Sequence, residues 1–262
     1  MLSLLPVLNG MSDVSKSCPI LYHYPMSPFS EKIRVAMGAF DTEWRSVNVP
    51  AFPPRPDVSQ FIGGYRRIPV LQIGAQFFCD TSLAYKALFE SETESTGLIS
   101  DDEDLRQWAE TDVFFAVLSG QNPISAARFL TRELGVMGFL HFTRDRIRMM
   151  QEATVTVLSA GDALAVLGQY VEVLSERLGM QTFISGEAPG YLDFSCYHPL
   201  WMAERVKPSG SRQWPASVCR WMNRMRKLGH GRCEPVSIIE IETTIYEDDV
   251  DATIWSVPNG WR

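Results

Sequence analysis

The sequence ILYHYPMSPFSEKIR, residues 20–34, decides the fold. Its first five residues, 20–24, form a β-prone run that is typical of a short buried strand. Ser27 and Pro28 then follow in the order that a helix start prefers, because a serine cap accepts a hydrogen bond from an unpaired N–H and a proline just inside needs no N–H partner. The stretch therefore predicts a strand that leads into a helix N-terminus.

A helix N-terminus at this place has a chemical consequence. Unpaired N–H groups and the positive end of the helix dipole converge there, so the site stabilises an anion or a thiol that is about to ionise. Thiol chemistry is our first hypothesis for this turn. The alternative is an ordinary capped helix, since capping signals are common.

The composition describes a globular chain with little attraction for polyanions. The chain has 262 residues, 45% of them apolar, enough for one large domain or two modest ones. Subtracting 31 acidic from 24 basic residues gives a net charge of −7, and the pI is near 5.2. We therefore expect no nucleic-acid partner. No apolar run is long enough to cross a bilayer, so we expect no membrane association.

The cysteines indicate a reducing compartment. There are five, an odd and scattered set that fits reduced thiols in a cytoplasmic protein better than a disulfide framework: Cys18, Cys79, Cys196, Cys219 and Cys233. Residues 1–10 are apolar but lack a basic leader and are interrupted by Pro6, so we do not expect a signal peptide.

The first ninety residues predict an α/β unit with the order β-α-β-α-β-β-α. The helix from Pro28 has apolar residues at spacings of three and four, with Glu31, Lys32 and Arg34 on other faces, so we expect it to pack through one stripe. The further predicted elements are a strand at 44–49, a proline-rich loop at 50–56, a short helix at 57–62, strands at 70–73 and 76–79 joined by a Gly74-Ala75 type II′ turn, and a helix from 81 to about 90 with possible caps at Asp80, Thr81 and Ser82.

The chain divides into five parts. The predicted ranges are an N-terminal extension at 1–17, the α/β domain at 18–92, a polar linker at 93–100, an all-helical domain of four to six helices at 101–232 and a C-terminal extension at 233–262. In the last part Val236–Tyr246 is β-prone, and Trp255 and Trp261 could pack back on the body. The extension could cover the active site, pair with a partner or extend freely.

Three local features, in this order, resemble the thioredoxin-like N-terminal domain of glutathione S-transferases. They are Ser27-Pro28-Phe29-Ser30 at the strand-to-helix turn, Arg67-Ile68-Pro69-Val70, and Asp80-Thr81 after the hairpin. The resemblance covers roughly residues 18–232 and is closest to the serine-type, bacterial and fungal members. It implies a thioredoxin-like α/β domain followed by an all-α domain.

The resemblance implies that the reactive thiol is imported. Thioredoxin folds carry Cys-x-x-Cys at this turn, whereas this chain has Ser27 and Ser30. By the family pattern, Ser27 donates a hydrogen bond to the sulfur of bound glutathione and favours its thiolate. Tyr24 is the alternative donor, because other members of the family use a tyrosine at the end of the first strand.

The same resemblance assigns the glutathione-binding residues. Ile68 and Pro69 would form a cis peptide bond and pair with the cysteinyl backbone, although a proline can also simply open an edge strand. Asp80 would oppose the γ-glutamyl ammonium and Thr81 would hold its carboxylate, or both would only cap a helix. Arg67 would contact glutathione or lie on the surface.

The function implied is a glutathione transferase that attacks a small apolar electrophile lodged between the domains, usually as a homodimer. Aromatic residues of the second half are more often core residues, but the resemblance implies that a few of this set line that site: Trp108, Phe114, Phe115, Phe129, Phe139 and Phe142. Two alternatives stay open: an isomerase or ether-cleaving enzyme that regenerates glutathione, and a transferase-like interaction module without turnover.

Other chemistries lack their motifs. The histidines, His23, His141, His198 and His230, show no His-Glu-x-x-His and no Cys-x-x-Cys partner, so we expect no metal. The sequence also has no P-loop and no Gly-x-Ser-x-Gly turn. Gly190 and Asp193 resemble the cap of the family's buried central helix, with Gly190 in place of the usual Ser or Thr, and Asp193 is expected to be structural.

Overall fold

The computed structural model describes residues 17–55, 62, 64–93, 102–152, 158–208, 213–238 and 253–256. The strands are β1 Ile20–His23, β2 Glu43–Asn48, β3 Val70–Ile73, β4 Gln76–Phe78, β5 Arg232–Pro235 and β6 Thr253–Trp255. The helices are α1 Pro28–Ala39, α2 Thr81–Thr93, α3 Glu103–Trp108, α4 Phe114–Ser119, α5 Pro123–Glu152, α6 Ala160–Leu178, α7 Tyr191–Val206 and α8 Ala216–Lys227, and a π-helical turn, Ala109–Val113, joins α3 to α4.

Several predicted segments lie outside the described residues. They are nearly all of the N-terminal extension at 1–17 and of the linker at 93–100, the short helix at 57–62 except Ile62, most of the β-prone segment 236–246, and Trp261. The remaining predicted elements are observed within one to three residues of the expected bounds, and the described part of the second half holds six α-helices.

The sheet contains two strands that the sequence did not predict as such. Its order is β5-β2-β1-β3-β4-β6, with β1 parallel to β2 and antiparallel to β3. The β3–β4 hairpin turns at Gly74, whose φ of +57° is the conformation that the first residue of a type II′ turn requires. Strands β5 and β6 run parallel to their neighbours and come from the C-terminal extension.

The C-terminal extension therefore covers both edges of the sheet of the first domain. The Trp255 carbonyl accepts a hydrogen bond from the Cys79 N–H at 2.8 Å, and Trp255 Nε1 donates to Gln76 Oε1 at 3.1 Å. Trp255 thus packs back on the body, as its sequence allowed, and the strand pairing of the described part of the extension was not predicted. Unpaired strand edges invite unwanted pairing, so covering them protects the sheet.

Helix α1 lies between the sheet and the helical domain. It packs most extensively against α7, and Gly38 lets its end approach the chain after α8, since a Cβ there would lie 2.2 Å from the Gly229 carbonyl oxygen. Our expectation of a single buried stripe was wrong: Glu31, Lys32 and Arg34 are also buried. These charged side chains are buried because neighbours from both domains surround the helix.

The buried central helix α7 starts as its sequence predicts. The buried Asp193 carboxylate accepts hydrogen bonds from the N–H groups of Ile184, Ser185 and Gly190 at 2.8–3.1 Å and from Trp221 Nε1 at 2.8 Å. Four donors satisfy a carboxylate that would otherwise be costly to bury. The described contacts of Asp193 are therefore structural.

Candidate functional site

The turn between β1 and α1 places Ser27 at the helix N-terminus. The Ser27 N–H donates to the Tyr24 carbonyl at 3.1 Å, and Ser27 Oγ accepts from the Ser30 N–H at 3.2 Å. This cap uses a lone pair of the hydroxyl oxygen, and no described residue accepts the Ser27 hydroxyl proton. Ser27 is only 1% exposed. The buried hydroxyl therefore caps the helix through its oxygen and can still donate its proton to a ligand.

Arg34 holds this turn from behind. It donates to the carbonyl oxygens of Pro25 at 2.8 Å and Tyr24 at 3.4 Å, and it forms a buried ion pair with Glu31 at 2.7 Å. Because Arg34 can only donate, its 2.8 Å contact with His23 makes Nδ1 of that ring an acceptor. Burial, and next the charge of Arg34, lower the pKa of His23 to about 3.

This tautomer of His23 excludes nucleophilic catalysis by a serine that the histidine activates. His23 Nε2 lies 2.8 Å from Ser46 Oγ, a distance at which a histidine can activate a serine nucleophile. With Nδ1 accepting from Arg34, however, Nε2 carries the proton and donates to Ser46. The Ser46–His23 pair is therefore a structural hydrogen bond and not a base with its nucleophile.

Tyr24, the alternative donor, faces the helical domain. Its half-buried hydroxyl accepts from Arg146 of α5 at 3.4 Å, and the same guanidinium donates to the Ala51 carbonyl at 3.1 Å and lies over the Phe142 ring. Helix α5 reaches this position because it kinks at Gly135, where φ is +70°. Tyr24 thus contacts both domains, whereas the polar contacts of Ser27 stay within its own turn.

The Ile68–Pro69 peptide bond is cis and precedes β3. Both residues are buried, and Val70 pairs with Tyr22 of β1, so the register continued by two residues brings Ile68 beside Tyr24. Arg67 is exposed and lies beside the Tyr65 hydroxyl. The structure thus brings Ile68 and Pro69 to the β1–α1 turn and leaves Arg67 at the surface.

Asp80 and Thr81 open α2. Asp80 Oδ1 accepts from the Ser82 N–H at 2.7 Å and from the Ser82 hydroxyl at 2.6 Å, so Asp80 is the helix cap. No described residue donates to Asp80 Oδ2. Thr81 is 8% exposed, and its Oγ1 accepts from Lys32 Nζ at 3.3 Å.

Lys32 is the residue that sequence reasoning missed. Its ammonium is fully buried and donates to Glu110 Oε1 at 2.5 Å, to the Tyr191 hydroxyl at 2.8 Å and to Thr81. Burial alone would lower the pKa of Lys32, but Glu110 and Tyr191 raise it above its usual value. The pKa of Glu110 is held low by Lys32 and Arg106 against the effect of burial. Lys32 is therefore charged and fully paired.

Local sequence gave almost no indication of this network. The one available signal was the density of apolar and small residues after Lys32, in IRVAMGA, which indicates a helix covered on more than one side. Glu110 lies in the π-helical turn, a feature often found at functional sites, and no pattern in the sequence predicted that turn.

An aromatic cluster lies next to Ser27. The half-buried Phe29 ring is 4.9 Å from the Phe114 ring and 4.7 Å from the His198 ring. His198 Nδ1–H donates to the Ser195 carbonyl at 2.8 Å, the group that Pro199 cannot bond because it lacks an N–H. Burial, and next Lys32, lower the pKa of His198 to about 3, so its ring is neutral.

Among the predicted electrophile-site aromatics, Phe114 contacts the Phe29 ring at the α1 start. Trp108 instead packs on Tyr170. It also lines a separate cavity of about 370 Å³ with Asp104, Gln107, Thr111 and Asp112. None of the predicted glutathione residues lines that cavity.

Two family models match the sequence. The model for the glutathione S-transferase N-terminal domain matches residues 21–96, and the model for the glutathione S-transferase C-terminal domain matches residues 159–228. The chain belongs to the glutathione S-transferase superfamily. This confirms the predicted fold class, a thioredoxin-like domain followed by a helical one.

Solved structures share this fold. A glutathione S-transferase-like protein from Pseudomonas syringae is 26% identical, with a TM-score of 0.60 over 94% of this chain and 78% of that one. Glutaredoxin 2 from Salmonella typhimurium, in complex with glutathione, is 16% identical, with a TM-score of 0.54 over 81% and 95%. The theta-class glutathione S-transferase of Xanthomonas axonopodis pv. citri, with glutathione bound, is 17% identical, with a TM-score of 0.51 over 80% and 93%. A comparison with curated proteins finds no match.

Within the described ranges, this member of the glutathione S-transferase superfamily has no group of three or more His, Cys, Asp or Glu side chains placed to hold a metal ion. Its five cysteines are all unpaired. None of the helices in the described part of the chain combines the length and apolarity needed to span a membrane.

Proposed function

We propose that this protein is a glutathione transferase that ionises the thiol of bound glutathione at Ser27 and directs the thiolate at a small apolar electrophile. The observation that carries the proposal is the Ser27 hydroxyl at the start of α1, whose oxygen accepts the cap bond while its proton has no described acceptor. A sulfur placed there receives a hydrogen bond and faces the positive end of a helix dipole.

The energy required is modest. A free cysteine thiol has a pKa near 8.5, and lowering it by about two units takes roughly 2.7 kcal/mol. One hydrogen bond to a charged group together with a helix end supplies about that much. In the reaction the thiol proton passes to solvent, a carbon–sulfur bond forms, and the leaving group departs with its electron pair.

The remaining site residues have proposed roles that fit their positions. Ile68 and Pro69 hold the cysteinyl backbone, Thr81 donates to the γ-glutamyl carboxylate, and Asp80 opposes the ammonium through Oδ2. Arg67, which is exposed, contacts the ligand from the rim. Phe29 and Phe114 offer an apolar surface beside the sulfur position, which suits an aryl or alkyl electrophile better than a charged one.

Ser27→Ala tests the proposal. The variant loses the hydroxyl proton but keeps the helix, so the pKa of bound glutathione should rise by one unit or more and turnover at neutral pH should fall about tenfold to a hundredfold. The measurements are thiolate absorbance of the complex as a function of pH, and turnover of a generic aryl halide.

Two control variants sharpen this test. Ser30→Ala removes another buried serine hydroxyl one turn away, which has no partner among the described residues. It keeps the Ser30 backbone N–H, which donates to Ser27 Oγ. Tyr24→Phe removes the alternative donor. Both should ionise glutathione as the native protein does. Loss of ionisation in Tyr24→Phe, with Ser27→Ala unchanged, would transfer the donor role to Tyr24.

The low exposure of Ser27 supports one second candidate, an interaction module that binds glutathione without turnover. A sulfur reaches a side chain that is 1% exposed only if the surrounding residues move. Retention on glutathione resin, without turnover across a panel of aryl halides, epoxides and peroxides, would select this candidate. Product analysis separates consumed glutathione from glutathione regenerated by isomerase or ether-cleaving chemistry.

We also propose a cytoplasmic homodimer. The five unpaired cysteines support a reducing compartment. Large apolar side chains are exposed on α5 after its kink at Gly135, and they support an interface with a second copy of the chain. They are Val136, Met137, Leu140 and Ile147. Sedimentation equilibrium of the native protein and of Leu140→Glu tests the assembly, which should be a dimer in the first case and weaker in the second.

A further inference from the structure

Lys32 lies directly behind the start of α2. It is 0% exposed, and its three donors reach three oxygens: Glu110 at 2.5 Å, Tyr191 at 2.8 Å and Thr81 at 3.3 Å. An ammonium group donates and cannot accept. The Thr81 hydroxyl oxygen is therefore an acceptor in this contact, and its own proton must point away from Lys32.

The contact thus fixes the direction in which Thr81 can donate. A threonine hydroxyl rotates freely when nothing holds it, so its proton can point to several acceptors. Here one lone pair is occupied from behind by a buried cation, and Asp80 already caps the helix by binding Ser82. The hydroxyl proton is left for an acceptor on the ligand side of the α2 N-terminus, where N–H groups also favour an anion.

The position of Lys32 is itself set by the second domain. Glu110 comes from the π-helical turn and Tyr191 is the first residue of α7, whereas Lys32 and Thr81 belong to the first domain. Arg106 holds the other oxygen of Glu110 at 3.0 Å. The ammonium also lies 4.3 Å from the centre of the Tyr191 ring. Contacts on several sides leave Lys32 a single arrangement.

We propose that Lys32 is a positioning residue that orients the Thr81 hydroxyl toward the α-carboxylate of the γ-glutamyl group of glutathione. It acts through Thr81, and Glu110 and Tyr191 hold it in place. This inference rests on the proposed glutathione site and adds to it a dependence on the second domain. In this arrangement, recognition of the carboxylate is completed only when the two domains are packed together.

The test compares two ligands by calorimetric titration. One is glutathione, and the other is its analogue with a 4-aminobutyryl group in place of γ-glutamyl, which lacks only the α-carboxylate. The native protein should prefer glutathione about tenfold or more, the usual worth of a hydrogen bond to a charged group. Tyr191→Phe, which removes one acceptor of Lys32, should reduce that preference about threefold, and Lys32→Met should nearly abolish it.

Matched variants separate positioning from general damage. Tyr197→Phe removes a buried hydroxyl on the same helix that has no partner among the described residues, and it should keep the native preference. Thr81→Val should remove the preference, and adding Tyr191→Phe to it should change nothing more. Thr81→Ser keeps the hydroxyl and should restore most of the preference.

The outcomes distinguish this inference from the function on which it rests. If the native protein does not bind glutathione, both are overturned. If it binds glutathione but does not discriminate between the two ligands, the inference about Lys32 and the proposed role of Thr81 are overturned, whereas Ser27 as thiol donor stands. If Tyr191→Phe weakens both ligands equally and leaves their ratio unchanged, only the inference about Lys32 is overturned.

Discussion

The helix that begins at Pro28 and the helix that begins at Thr81 both start behind a side-chain cap, but different parts of the chain support them. The partners of Ser27, Tyr24 and Ser30, each lie three residues from it along the chain. Thr81 is held by Lys32, and through it by residues 78 and 159 positions away from Lys32 along the chain. Two similar local signals are therefore completed in different ways, one by neighbours in sequence and one by a second domain.

The largest expected effect is that of Lys32→Met on stability. The substitution leaves the half-buried Glu110 with Arg106 as its remaining charged partner, and breaking a buried ion pair from one side costs about 3–5 kcal/mol. Urea denaturation measures the loss. Lys32→Met combined with Glu110→Leu removes both charges and should recover part of it. A loss below about 1 kcal/mol in the single variant would show that the α2 start is held as locally as the α1 start.

Mild acid should lower the free energy of unfolding through two buried histidines, whose contributions should be similar. His23 behind α1 and His198 beside Lys32 have a pKa of about 3 in the folded protein, below the value of about 6.5 expected when unfolded. Their full contribution is present above pH 6.5 and is lost as the pH falls toward 3, because only the unfolded chain takes up the protons. At pH 5 this amounts to about 2 kcal/mol for each histidine.

The free energy of unfolding of the native protein and of His23→Gln, measured between pH 7.5 and 5, checks this value. The variant should lose only about half as much stability over that range, since one buried histidine remains. Identical pH profiles for the two proteins would contradict the assignment of His23 as a neutral buried acceptor.

The smallest expected effects are those of the caps themselves. Ser27→Ala and Asp80→Ala each remove an oxygen that accepts a backbone N–H at a helix start, and each should lower the free energy of unfolding by about 1 kcal/mol. Near-equal values from urea denaturation would show that the two caps stabilise their helices equally. A loss above about 3 kcal/mol for Asp80→Ala would mean that its carboxylate also supports the Lys32 network.

Much of the first domain was predictable because its signals act over a few residues. The cap at Ser27, the turn at Gly74 and the cap at Asp80 are each read from a stretch of two to four residues. The predicted strands and helices follow from the same short-range patterns. The π-helical turn escaped prediction because its place depends on how the helices around it pack.

The sequence by itself determined the order of strands and helices in the first domain, the two capped N-termini and the resemblance to glutathione S-transferases. Only the tertiary structure decided that Lys32 is buried behind Thr81, that Arg34 holds the Tyr24–Pro25 turn and that β5 and β6 cover the sheet edges. The physical reason is that a cap or a turn is satisfied by its own neighbours. The partners of a buried charge or a strand edge come from distant segments, whose arrival no local pattern encodes.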